Sequence, residues 1–546
     1  MPAPLDSINR IASRPFDDQK PGTAGLRKRV AVFQQPHYLE NFLQAVFDCV
    51  PELDGSSLVV GGDGRYFNRQ AINTLLRMAA ANGVRHVILG RSGILSTPAA
   101  SHLIRLRNTA GGFVLTASHN PGGPEGDFGI KFNVAGGGQA SEQLTNAIHA
   151  RSKTLSEYRI LPPAPLNIDR IGSFDLEVTT IEIVDPVEDY AALMETLFDF
   201  DAIRALAGRG FRLRYDALHG VTGPYAQALL VERLGFPAES VVHAEPLSDF
   251  GGRHPDPNPH DAHELMALMN GRDAPDFGAA SDGDGDRNMI VGPGMMVSPG
   301  DSLAVLAAQA TRIPGYRDGL AGVARSMPTS RAIDKVAGSL GIPCFETPTG
   351  WRFFFNLLEA AKITLCGEES FGTSSNHCRE KDGLWAVLFW LNLLAVTGKS
   401  VPDILDEHWR RYGRHYFERH DYKLEQRAGD EIMRGLQDSL PRLADEKPGG
   451  RQVMRADNFR YHDPVDGSES ANQGVRIEFN SGERIVYRLS GTGTSGATLR
   501  VYLERFAPDG GNGENAHDAL EDLAKVSRQV ARLKEIARVD EPTAVT

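Results

Sequence analysis

Short apolar runs that end in polar, glycine-rich or acidic loops and give way to helical spacing recur along most of this 546-residue chain. Residues 57–60 run into Gly61-Gly62-Asp63-Gly64, helical spacing follows at 71–81, and further strand-like runs stand at 84–89 and 112–116. The pattern restarts at 211–215, ahead of Asp216-Ala217-Leu218-His219-Gly220, and at 276–280, ahead of an acidic loop. It returns at 322–324 and at 363–365, the latter running into Cys366-Gly367-Glu368-Glu369-Ser370. Strands alternating with helices predict βαβ units and largely parallel sheets. A single hydrophobic core rarely grows beyond about 250–300 residues, so the repetition reads as three related α/β layers. The last stretch differs: strand-like runs at 475–479, 484–489 and 499–503 lack long helices between them. A helix then carries Leu523, Val526, Val530 and Leu533. That predicts an α+β domain, with residues 541–546 as a frayed end.

Composition enters mainly through what it excludes. With 58 basic and 70 acidic side chains the net charge is −12, which argues against nucleic acid or an anionic membrane as a partner. The cysteines (Cys49, Cys344, Cys366, Cys378) form no C-x-x-C pair, so neither a disulfide framework nor a zinc site is expected. Reduced thiols and the lack of a signal-like apolar stretch at the start of the chain predict a cytoplasmic protein. The apolar run 384–396 includes Asn392 and falls short of the about 20 residues of a membrane span, so it reads as a buried core helix.

Four loops can carry chemistry. In Thr116-Ala117-Ser118-His119-Asn120-Pro121 a hydroxyl directly follows a buried-type strand, where α/β sheets gather ligands. A serine there can carry a covalent intermediate, and the same residues also serve a simple turn. In Asp282-Gly283-Asp284-Gly285-Asp286-Arg287 three alternating carboxylates can converge on one hard cation. The sixth residue is Arg287 where an EF-hand needs glycine, so magnesium fits better than calcium. The segment from Arg488 to Arg500 sets small hydroxyl residues and glycines between two arginines, a composition suited to a phosphate and distinct from a Walker loop. Glu368, Glu369 and Ser370 offer acceptors to sugar hydroxyls, or equally caps for a helix.

Taken in order, T-A-S-H-N-P, D-G-D-G-D-R, G-E-E-S-F-G and R-L-S-G-T-G resemble the signature of the α-D-phosphohexomutase superfamily. Longer strings at 17–30, 116–133 and 380–388 are similar to its branch that acts on glucose phosphates. The resemblance implies a heart-shaped, four-domain α/β protein: three similar α/β domains (1–195, 196–309, 310–415) and a C-terminal α+β domain (416–546). It implies Ser118 as the phosphoserine, with Asp282, Asp284 and Asp286 holding Mg²⁺ together with a phosphoserine oxygen. Glu368 and Ser370 would bind sugar hydroxyls, Thr349 would touch the ligand, and Arg27, Arg287 and Lys381 would line the site. Arg488, Ser490, Thr492, Thr494 and Arg500 would grip the non-reacting phosphate, and His119 and Lys131 are alternative proton-transfer groups.

The implied activity interconverts α-D-glucose 1-phosphate and glucose 6-phosphate through glucose 1,6-bisphosphate, which is also the activator. The implied protein is a monomer or weak homo-oligomer that takes a phosphosugar. A mutase of mannose or glucosamine phosphates, a silent structural relative and an aspartyl-phosphate phosphatase are the competing readings. The intact serine, aspartates and arginines oppose the second, and Gly285-Asp286 after the D-x-D opposes the third. Ala24, Arg331 and Arg352 depart from the commonest residues of the resemblance, and none of them is an expected catalytic group.

Overall fold

In the strand Ser57–Gly62, Val59 enters one hydrophobic core while Leu58 and Val60 enter another, so both faces of the sheet are covered. Near-continuous apolar runs are what such a doubly covered sheet requires. The computed structural model describes residues 8–22, 24–491, 496–511 and 513–546. This first sheet has seven strands, in the order Leu26–Arg29, Asp127–Val134, Gly111–Leu115, Ser57–Gly62, His86–Ile94, Thr179–Val184 and Gly172–Leu176. A five-stranded sheet follows (Val241–Val242, Leu213–Asp216, Phe277–Ser281, Asn288–Gly292, Met295–Val297). A four-stranded sheet (Cys344–Thr347, Val323–Ser326, Leu365–Gly367, Thr373–Ser375) completes the α/β part.

The three sheets share one device. A central strand pairs in parallel with two neighbours, and one of these neighbours hooks into an antiparallel strand. The hooks are residues 116–126, 282–287 and 368–372. They are the serine, aspartate and glutamate loops singled out in the sequence. Three loops with unrelated residues thus occupy one topological position. One continuous core, from Val59 and Ile88 through Tyr215 and Leu303 to Trp385, ties the three units together.

The fourth unit is a six-stranded antiparallel sheet in the order Val453–Asn458, Val475–Phe479, Arg484–Gly491, Ala497–Ala507, Arg414–Leu424 and Ala544–Val545. Its own core packs Tyr422, Ile477, Leu499 and Leu503 against Leu520 and Leu523 of the helix Ala516–Val530. The helix Gly383–Thr397 is the buried core helix expected, capped by the Asp382 side chain and ended by left-handed Gly398. Among the described residues no single helix is long and apolar enough to cross a membrane.

Three expectations shift. The helix expected to carry Leu523 to Leu533 ends at Val530, with Leu533 in a separate short helix after left-handed Arg532. Several observed strands run further towards their loops, for example Leu213–Asp216 rather than 211–215, because Asp216 and Ser281 keep their ladder partners despite their polarity, whereas the run expected at 112–116 ends at Leu115. The chain end is not frayed: Ala544 and Val545 pair with Asp421 and His420. That pairing covers the outer edge of the strand Arg414–Leu424 around His420 and Asp421.

Candidate active site

Ser118 sits in the left-handed region (φ 54°), uncommon for a side chain with a Cβ, and is almost fully buried. A polar chain holds it there. The Ser118 backbone N–H donates to Thr116 Oγ1 at 2.7 Å, and Thr116 Oγ1 donates to Asp63 Oδ2 at 2.5 Å. Asp63 forms a fully buried ion pair with Arg65, 2.9 Å apart. The Arg65 guanidinium donates to the carbonyls of Ser118 (2.6 Å), Asp127 (2.9 Å) and Asn120 (3.3 Å). The planar fork of arginine makes one residue able to fix several points of a loop. Asp63 and Arg65 were not foreseen as site residues; their sequence signal was their place at the carboxyl end of a strand.

The Ser118 hydroxyl donates to Asp282 Oδ2 at 2.7 Å and lies 3.4 Å from His119 Nδ1. Two glycines allow this approach. A Cβ at Gly283 would stand 2.8 Å from the Ser118 carbonyl oxygen, and Gly285 adopts φ 79° with Thr222 and Ser96 packed against it. Asp282, Asp284 and Asp286 are buried, and one oxygen of each lies within 4.8 Å of the others. Asp282 Oδ1 accepts the backbone N–H groups of Asp286 and Arg287. Asp284 Oδ2 accepts from Thr97 Oγ1 (2.7 Å) and Lys131 Nζ (2.8 Å), while Asp286 Oδ2 pairs with Lys381 Nζ at 3.0 Å. Asp284 Oδ1 and Asp286 Oδ1 are buried without a hydrogen-bond partner. Buried carboxylate oxygens seldom stay so, and beside Asp282 these offer hard donors suited to Mg²⁺.

Electrostatics separates the two proton-transfer candidates. Burial, together with Arg287, Arg27, His254 and Lys381, holds the His119 imidazole well below its ordinary pKa. Burial works against the Lys131 ammonium, but Asp284, Asp286 and Glu380 outweigh it and raise its pKa. Burial also opposes the Arg287 charge and is outweighed by Asp256, Asp282 and Asp286. Arg287 Nη1 donates to Asp256 Oδ1 at 3.1 Å, another partner not foreseen.

Thr349 and Glu368 share one rim: Glu368 Oε1 accepts from the backbone N–H of Gly350 at 2.8 Å, and Thr349 Oγ1 is buried without a partner. Burial and then Glu369 raise the pKa of Glu368. Ser370 follows, half-buried. Glu369 accepts from Tyr502 Oη (3.1 Å) and Ser326 Oγ (3.0 Å), joining the third unit to the fourth.

Arg488 and Arg500 stand directly opposite each other on adjacent strands, with Asp421 opposite Arg500 on the next. Like charges in that register repel, a cost that a bound dianion reverses. Arg500 Nε, Arg287 Nε and Arg27 Nε are buried without hydrogen-bond partners, so three guanidinium groups have donors to spare. Arg27 interacts electrostatically with Asp284, Arg287 and Asp286, which places it at the same centre. Ser490 pairs with Thr498 one rung beyond the arginines; Thr492 and Thr494 lie outside the described residues. Of the unusual residues, Arg352 pairs with Glu142 at 3.1 Å and Arg331 with Glu504 at 3.1 Å, and neither pair includes one of the expected site residues.

A buried serine bonded to one of three clustered carboxylates, with a paired-arginine cradle on a separate unit, is an arrangement for moving phosphoryl groups on a phosphorylated substrate. Family models agree in chain order. Residues 18–159, 188–294 and 299–412 match phosphoglucomutase/phosphomannomutase α/β/α domains I, II and III, and 414–543 match the phosphoglucomutase-1 C-terminal domain. The chain is 54% identical to a phosphoglucomutase of Rhizobium radiobacter, covering 99% of this chain and 100% of that one. It is 48% identical to phosphoglucomutase-1 of Homo sapiens over 99% and 100%. The open form of the phosphoglucomutase parafusin from Paramecium superposes with a TM-score of 0.92 at 45% identity, over 99% of both chains. The chain belongs to the phosphoglucomutases of the α-D-phosphohexomutase superfamily, isomerases that interconvert glucose 1-phosphate and glucose 6-phosphate.

Proposed function

We propose that Ser118 is the residue that carries the phosphoryl group, and that it alternately gives it to and takes it from the two ends of the sugar. The observation that carries this reading is the 2.7 Å contact of its hydroxyl with Asp282, next to the unpartnered oxygens of Asp284 and Asp286. Those three aspartates would hold Mg²⁺, which when bound offsets charge on the transferring group. Arg287, held by Asp256, adds a fixed positive charge there. His119 moves the proton at the serine oxygen, since its ring nitrogen is 3.4 Å away. Lys131, tied to Asp284 and Asp286, balances their charge.

Glu368 and Ser370 orient the sugar hydroxyls and Thr349 touches the ligand, while Lys381 and Arg27 line the cleft. Arg488 and Arg500, with Ser490 and with Thr492 and Thr494 of the adjoining loop, hold whichever phosphate is not reacting. An intermediate with a phosphate at each end, glucose 1,6-bisphosphate, can then turn over and present its other end to Ser118. Each unit lends one loop to the cleft, with the chain dividing near 195, 309 and 415. Burial of Ser118 keeps water from its phosphate. The free cysteines suit a reducing compartment, and we place the enzyme in the cytoplasm as a monomer or weak homo-oligomer.

A coupled assay tests this: glucose 1-phosphate, Mg²⁺ and catalytic glucose 1,6-bisphosphate, with glucose 6-phosphate read by a dehydrogenase. Turnover is expected and is abolished in Ser118→Ala. Undiminished turnover in that variant refutes the assignment. Mannose and N-acetylglucosamine phosphates in the same assay measure specificity, with glucose preferred.

A further inference from the structure

On the cleft-facing side of the fourth sheet the strands Arg484–Gly491 and Ala497–Ala507 form a ladder of rungs. Arg484 faces Glu504, Val486 faces Tyr502, Arg488 faces Arg500 and Ser490 faces Thr498. The first rung lies at the joint with the third unit. Glu504 is buried, and it accepts from the Arg331 backbone N–H (2.6 Å), Arg331 Nε (3.1 Å) and Ser330 Oγ (3.2 Å), all from the third unit. From its own unit it meets Arg484 Nε at 2.8 Å and His415 Nδ1 at 2.7 Å. The other arm of Arg331, Nη2, donates at 3.0 Å to the carbonyl of Gly482, in the turn that leads into the strand Arg484–Gly491. One side chain of the third unit therefore holds both strands whose further ends carry Arg488 and Arg500.

We propose that Arg331 is a positioning residue for the phosphate grip, setting where the Arg488–Arg500 rung stands relative to Glu368 and Ser370. Strands rise about 3.4 Å per residue, so the arginine rung lies about 14 Å beyond the Glu504 rung. A tilt of about 4° at the joint then moves the guanidinium groups by about 1 Å, and a misplacement of that size can cost up to about 100-fold in rate. The fold does not depend on the same contact. Without the Arg331 side chain, Glu504 keeps Arg484 and His415, so no buried charge is left unpaired. The inference rests on the assignment of Arg488 and Arg500 to the non-reacting phosphate.

Arg331→Met, Arg331→Lys and Arg500→Met are assayed for kcat and KM with glucose 1-phosphate. In parallel, loss of radiolabelled phosphate from Ser118 to water is followed in the absence of sugar. The expected result for Arg331→Met is a KM raised about tenfold with a smaller change in kcat, and unaltered phosphate loss to water, since that reaction does not use the grip. Arg331→Lys, which keeps the charge but lacks the fork, should fall between. A KM within twofold of the parent in Arg331→Met, while Arg500→Met raises it, overturns the role of Arg331 alone. An unchanged KM in Arg500→Met overturns the underlying phosphate assignment. Parallel loss of both reactions in Arg331→Met marks a merely structural residue and also overturns the proposal.

Discussion

Arg65→Lys tests how the serine loop stores its geometry. A non-glycine residue in the left-handed region costs on the order of 1–3 kcal/mol. In Ser118 that cost is opposed by the 2.6 Å bond from Arg65 Nη2 to its carbonyl, a charge-assisted bond of about 1.5–3 kcal/mol. The two nearly cancel, so the reactive conformation is held by a small margin. A lysine at 65 keeps a cation beside Asp63 but cannot also reach the carbonyls of Ser118, Asn120 and Asp127. Losing about 2 kcal/mol of support takes the loop from about half of the time in its working geometry to a few per cent, and kcat should fall about 15-fold. KM should change little, because Arg65 touches the serine loop and not the phosphate cradle. The coupled assay gives kcat and KM, and thermal unfolding with circular dichroism confirms the fold. Arg65→Met is the harsher variant: it leaves the fully buried Asp63 without its cation, a loss of about 3–5 kcal/mol. A folded Arg65→Lys enzyme with kcat within twofold of the parent would refute the reasoning.

Three further outcomes follow from the same geometry. Mg²⁺ at 100 times its dissociation constant should stabilise the folded chain by about 2.7 kcal/mol in thermal melts, and Asp286→Asn should remove most of that shift. Arg500→Met should change stability by no more than about 1 kcal/mol in phosphate-free buffer, because the lost attraction to Asp421 offsets the relieved repulsion with Arg488. Denaturant titration with and without glucose 1-phosphate reads this, and stabilisation by the sugar phosphate should shrink sharply. At the joint between the third and fourth units, burial alone would raise the Glu346 pKa, but Arg325 and Arg476 outweigh it and bring it from 4.5 down to about 2. A carboxyl group lowered on folding stabilises above its unfolded pKa and loses that contribution as the pH falls through the folded one. Glu346→Gln should therefore be less stable by about 3 kcal/mol at neutral pH, and the gap should close between pH 4.5 and about 2. A gap that persists at pH 2 would contradict the ion-pair account.

The chemistry of the cleft was legible in the chain because its loops are short and local. Ser118 after a buried run, three aspartates spaced by glycines, and two arginines bracketing a hydroxyl-rich loop stood out as candidates through residue type and spacing, their roles coming from the family resemblance. So did the α/β class and the buried helix Gly383–Thr397, since periodicity and burial are properties of a local window. Other features depend on contacts between segments distant in sequence. Asp63 read as part of a glycine-rich turn and Arg65 drew no reading, because the carbonyls that Arg65 holds lie more than fifty residues away. Arg331 looked like a neutral exception until Glu504 stood beside it, 173 residues on. The electrostatic surroundings of His119 and Lys131 became distinct only when tertiary packing set one among cations and the other among carboxylates. The terminal residues 544–545 became a strand only because an open sheet edge lay within reach. Residue type and spacing determine what a loop can do, whereas burial and the sign of the neighbouring charges, which only the folded chain supplies, decide what each group in it does.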